Sequence, residues 1–178
     1  MKTITITLAA LAVFSAGITR AEDFDFRRAR WGMTPEEVRE TETEAAPFGD
    51  MEGLLIYQGT IAGIEADIIY IFQNGRLERG VYSIEPAESQ AVSRDYPRAR
   101  SHLVELYGPP LVEKLNLEDG EAAGDLDPDD LDGLVKLVLA GGAEPMTYWE
   151  TGASKIYLRL TEKDGRAAIQ VDYLGRER

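Results

Sequence analysis

The chain has 178 residues, of which 32 are acidic and 19 basic, a net charge of −13 and no cysteine. Such a charge repels nucleic acid and anionic membrane surfaces. The absence of cysteine excludes disulfide staples, thiol catalysis, thiolate metal sites and a lipid anchor on an N-terminal cysteine.

In chain order, the first signal is one of export. Lys2 supplies a positive start, Ile4 to Ile18 carries no charge, and Thr19-Arg20-Ala21 puts small residues at −3 and −1 before Glu22-Asp23. This is the layout of a cleavable secretory signal. Its apolar part is shorter than the ~20 residues that a membrane-spanning helix needs. We therefore expect residues 1–21 to be a signal peptide cut after Ala21, and the rest to be periplasmic or secreted, with no membrane span.

Thr34-Pro35-Glu36-Glu37 then reads as a helix start. Thr34 caps, Pro35 takes the first helical position and Glu37 completes a capping box. Strand signals follow at Leu54–Gln58, Ala66–Phe72 and Leu77–Ile84, with Asn74-Gly75 as a hairpin turn. A second helix is expected over 91–107, with Val92, Tyr96, Ala99, Leu103, Leu106 and Tyr107 on one face. Gly108 ends it, and Pro109-Pro110 prevents continuation. An acidic stretch leads into a third helix, capped by Asp127 with Pro128 at its first position. Leu131, Leu134, Val135, Val138 and Leu139 form its apolar stripe. Strands at 146–150, 155–161 and 166–173 finish the chain, the last two joined at Asp164-Gly165.

This order predicts an α+β fold of two tandem units, each a helix followed by a three-stranded antiparallel meander, with helices on one sheet face. The units would span 22–90 and 91–178, with an acidic helical insert at about 113–142. The layout resembles the SmpA/BamE outer-membrane assembly lipoproteins and the β-lactamase inhibitory protein. Gly32-Met33-Thr34-Pro35-Glu36-Glu37-Val38 is similar to the helix start of that group, and Leu106-Tyr107-Gly108-Pro109-Pro110 to its helix end. The chain departs from the lipoproteins in lacking their lipidated cysteine and in having two units. The resemblance implies a non-catalytic protein that binds another envelope protein. It transfers no binding residue.

Candidate chemistry is sparse. His102 is the only histidine, and no nucleophile motif accompanies it. Asp125, Asp127 and Asp129 have the 1, 3, 5 spacing of a calcium loop. Asp130 then stands where glycine is needed and Lys136 where a bidentate glutamate is needed, so helix capping accounts for them better. A carboxylate hydrolase acting on wall polysaccharide stays open as an alternative, because paired acids are its only requirement. No glycine-rich phosphate loop is present, and no cofactor is implied. Trp31 and Trp149 read as structural, each with its indole N–H on a backbone carbonyl.

One feature points to binding. Strand 66–72 is apolar on both faces, and helices cover only one. Tyr57, Ile69, Ile71 and Tyr82 are the expected contact patch for a partner protein or for a second copy in a homodimer.

Overall fold

The computed structural model describes residues 24–85, 89–117, 122–125, 130–141 and 143–176. The signal segment, Asp127 and Asp129 lie outside the described residues. Among these described residues, three helices and nine strands follow in the order α1 (Pro35–Thr41), β1 (Ala46–Met51), β2 (Leu54–Ile61), β3 (Ile64–Gln73), β4 (Arg76–Ile84), α2 (Ser89–Tyr107), β5 (Val112–Leu117), β6 (Ala122–Asp125), α3 (Leu131–Leu139), β7 (Ala143–Glu150), β8 (Ser154–Lys163) and β9 (Arg166–Gly175).

The strands form one antiparallel sheet in the order β1-β2-β3-β4-β9-β8-β7-β5-β6. The expected pair of helix-plus-three-strand units is therefore wrong. Two physical features account for the difference. First, β4 and β9 pair from Arg79↔Leu174 to Ile84↔Ile169, which fuses the meanders edge to edge. Two separate sheets would leave both edges with unpaired backbone groups. Second, the outer strands carry no alternating apolar pattern. β1 is Ala-Pro-Phe-Gly-Asp-Met with a bulge at Phe48, and β5 and β6 fall in the acidic stretch expected to be a helical insert.

Local chemistry places the helix ends. The Glu37 N–H donates to Thr34 Oγ1 (3.3 Å), and the Thr34 N–H to the Glu37 carboxylate (2.7 Å). Pro35 sits where an N–H has no helical partner. α3 starts later than expected: Asp130 is its N-cap and accepts from the Gly133 N–H. Asn74-Gly75 and Asp164-Gly165 all have positive φ, as tight two-residue hairpins require.

One hydrophobic cluster fills the helix-covered side of the sheet. β3 gives it Ala66, Ile68, Tyr70 and Phe72; β8 gives Ile156, Leu158 and Leu160; β9 gives Ile169, Val171 and Tyr173. Val38 of α1, Val92, Tyr96, Ala99 and Leu103 of α2, and Leu134, Val135 and Val138 of α3 cap the same face. Tyr107 continues the α2 stripe, packing against Tyr173 of β9, whereas Leu106 points away and is 56% exposed.

The segment before α1 is part of this core. Gly80 sits between Tyr70 and Tyr173 in the ladder, and the Phe26 ring occupies the space that a side chain at 80 would fill. Its centroid lies 5.1 Å from Tyr70, 5.2 Å from Tyr82 and 5.1 Å from Tyr173. Beside it, Glu42 is buried at the end of α1. Its carboxylate accepts from Arg27 Nε (2.6 Å), the Tyr70 hydroxyl (2.5 Å) and the backbone N–H groups of Glu44 and Ala45 (both 3.1 Å). Burial opposes its charge, but these donors outweigh burial and hold the carboxyl below its ordinary range.

Both tryptophans pack as structural residues. The Trp149 indole donates to the Gly108 carbonyl (2.9 Å), tying β7 to the end of α2. The Trp31 indole donates instead to the Ser154 hydroxyl (3.0 Å), tying the N-terminal segment to β8.

Candidate functional site

The buried apolar residues of all three helices belong to the cluster on one side of the sheet. Among the described residues, no helix packs on the other side. The ladder registers specify what that open face presents. One transverse row takes Ile56, Ile69, Val81, Asp172, Tyr157, Tyr148 and Val112 from seven neighbouring strands. The row on one flank is Leu54, Ile71, Arg79, Leu174, Lys155 and Glu150. On the other flank are Gln58, Asp67, Ser83, Gln170, Arg159, Met146 and Lys114.

The two ends of the central row differ in chemistry. At β2, β3 and β4 it is aliphatic. Ile56 and Ile69 are half-buried by their neighbours and Val81 is 4% exposed. At β7 and β8 it is aromatic. The Tyr148 and Tyr157 rings lie 4.9 Å apart, and the Arg159 guanidinium stands 5.1 Å over Tyr157. The Tyr148 hydroxyl donates to Glu150 (2.8 Å). Burial, the hydrogen bond and the Glu150 charge together push this phenol up to about 12.

Asp172 interrupts the row at its centre and is fully buried. Arg79 donates to it from Nε (2.8 Å) and Nη2, and the Gln170 amide from 3.0 Å. Arg159 Nε lies 3.9 Å away, too far for a hydrogen bond, and is the one buried side-chain nitrogen or oxygen without a partner among the described residues. The two arginines sit on the flanking rows and spread over the carboxylate between them. The aliphatic stems of such side chains cover apolar surface while their heads stay wet.

The strand ends carry the remaining charge. Glu65, Asp67 and Glu85 line a groove of about 450 Å³ with Gln58, Thr60 and Ser83. Glu85 is paired with Lys163. Lys163 is opposite Arg166 in the last hairpin, and Glu144 borders Arg159 at 3.7 Å.

Tyr57, Ile69, Ile71 and Tyr82, expected to form one patch, are split between the two faces. Ile69 and Ile71 lie half-buried on the open face. Tyr57 and Tyr82 are 4% and 8% exposed and lie under the helices. The register explains this: Tyr57 and Tyr82 both pair with Ile68, whose side chain points into the core. The tyrosines that do reach the open face are Tyr148 and Tyr157, for which the sequence pattern carries no signal. Their strands alternate cleanly, and an alternating strand reads as one face buried and the other solvated.

No family model, curated protein or solved structure matches the chain.

Other candidate residues do not converge. His102 is half-buried on α2 and lines a shallow surface groove with Pro97, Arg98, Ser101 and Glu105. Asp125 ends β6, opposite Lys114 in the ladder. The described residues hold no group of three or more histidines, aspartates or glutamates placed to share a metal. Among the described residues, the three buried carboxylates each bind an arginine: Glu42 with Arg27, Asp95 with Arg94, and Asp172 with Arg79. Glu42 and Asp172 occupy opposite faces of the sheet, so they cannot flank one substrate as a glycosidase pair does.

Proposed function

We propose that this protein is a non-catalytic protein-binding module of the cell envelope, and that it binds through the open face of its sheet. The observation that carries the reading is the central row: six of its seven side chains are aliphatic or aromatic, on a sheet whose helices all pack on the other side. A half-apolar face with aromatic anchors and a paired charge at its centre has the composition of a protein interface. Export rests on the N-terminal sequence, and the non-catalytic style agrees with the resemblance to the assembly lipoproteins.

Among the described residues, the buried carboxylates do not support the carboxylate-hydrolase alternative. A general acid needs a raised pKa, whereas Glu42 and Asp95 are held below the ordinary carboxylate range. For Glu42, burial is outweighed by Arg27 and Tyr70; for Asp95, the Arg94 hydrogen bond leads.

The test compares the tagged processed protein with Ile69→Lys in capture from an envelope extract. Ile69 is only half-buried, so the lysine is expected to leave the fold intact by circular dichroism and to abolish capture. Equal capture by both proteins would remove the open face from the function. Unfolding of Ile69→Lys would mean that this position is core.

A further inference from the structure

We infer that the partner seated on the open face is a second copy of this chain, packed sheet against sheet; this rests on the reading of that face as the binding surface. Two quantities single out a copy from other occupants: area and charge.

The part of the face from β2 to β5 crosses seven strands. At ~4.8 Å per strand and ~6.8 Å between same-face residues, the central row, its two flanking rows and a fourth through Thr60, Glu65, Ala168, Thr161, Glu144 and Asn116 give about 34 Å by about 27 Å, or about 900 Å². A stable dimer of ordinary size buries about 800 Å² per partner. The face is therefore large enough, without any contribution from the helices.

The second quantity is charge. The chain as a whole carries −13, so two copies repel wherever their average surfaces meet. The described open face is different. Its basic residues (Arg79, Lys114, Lys155, Arg159, Lys163, Arg166 and Arg176) and acidic residues (Glu65, Asp67, Glu85, Asp125, Glu144, Glu150 and Asp172) are close to balance. The acidic excess of the molecule lies elsewhere. A second acidic body can rest on this surface without net repulsion, whereas a basic partner would be drawn to the rest of the protein.

Two sheets packed face to face sit about 10 Å apart, with their inner side chains interdigitated.

Sedimentation equilibrium of the purified processed protein tests the proposal. A monomer–dimer equilibrium is expected below about 100 µM, tightening between about 0.01 and about 0.1 M salt as the screening length falls from about 30 to about 10 Å. Ile69→Lys buries an unpaired charge and is expected to weaken the dimer at least about a hundredfold. Leu139→Lys, at a 39% exposed position on α3, is expected to leave it unchanged. Should Ile69→Lys unfold, Tyr148→Glu at the rim of the same row replaces it. A protein monomeric at all concentrations and salts overturns the inference. So does a dimer indifferent to both open-face variants, or one that weakens as salt rises. A monomer whose envelope capture still depends on Ile69 would overturn the second copy while leaving the binding face in place.

Discussion

Gly80→Ala adds one methyl group where the structure has no room for it. A Cβ built on Gly80 falls within 2.5 Å of three atoms of the Phe26 ring. The backbone there has negative φ, so the substitution costs nothing in chain geometry, and everything depends on the ring. Phe26 is 1% exposed and held by three tyrosines. Two limits bound the effect. If the ring shifts within the core, overpacking costs about 1–3 kcal/mol. If it is expelled, the cost cannot exceed that of losing a buried phenylalanine, about 3–5 kcal/mol. We expect about 2–4 kcal/mol, a fall in Tm of roughly 4–16 °C for a chain of this size. The assay is a double-mutant cycle by urea denaturation. In the Phe26→Ala background the same methyl has space, and Gly→Ala should be neutral or stabilising by about 0.4–1 kcal/mol through the unfolded chain. Equal destabilisation by Gly80→Ala in both backgrounds would refute the claim that Phe26 fills the glycine's place.

Other outcomes follow from the same geometry. Glu42 is held below its ordinary pKa when folded, so its pairing stabilises the protein above the unfolded carboxyl value and the contribution disappears as pH falls through the lower folded value. Stability measured by urea midpoint should be level from pH 7 to about pH 5 and decline below about pH 4.5, and Glu42→Gln should flatten that decline while costing about 3–5 kcal/mol at pH 7 by stranding Arg27. Thr34→Ala removes the cap of α1 and should cost about 0.5–2 kcal/mol by thermal melting. Trp149→Phe loses the hydrogen bond to Gly108 and should cost about 1–3 kcal/mol, with increased amide exchange at the end of α2. Calorimetric titration with calcium should show no saturable heat, since Asp130 caps α3 and the aspartate run fails the calcium-loop pattern at its glycine and glutamate positions.

Local rules made much of the chain legible. Thr34-Pro35-Glu36-Glu37 specifies a helix start because its cap, ring and carboxylate all act within one turn. Asn74-Gly75 and Asp164-Gly165 specify hairpins because few other residue pairs accept two positive φ angles. Strands β3 and β8 declare themselves through alternation, and the two-sided apolar character of β3 pointed to the open face through Ile69 and Ile71. Charge and the lack of cysteine set the protein's chemical class before any fold is drawn.

Only the tertiary structure decided how those pieces join. The pairing of β4 with β9 is a contact between residues about 90 positions apart in the chain, such as Val81 with Asp172, and no spacing within either strand encodes it. The same is true of the Glu42 pocket, assembled from Arg27, Tyr70 and the turn after α1, and of Asp172 beneath Arg79. Register decided what the open face presents: a side chain's face is fixed by parity along its own strand, but which faces coincide across seven strands depends on how the strands align. Tyr57 and Tyr82 went under the helices for that reason, and Tyr148 and Tyr157 came to the surface.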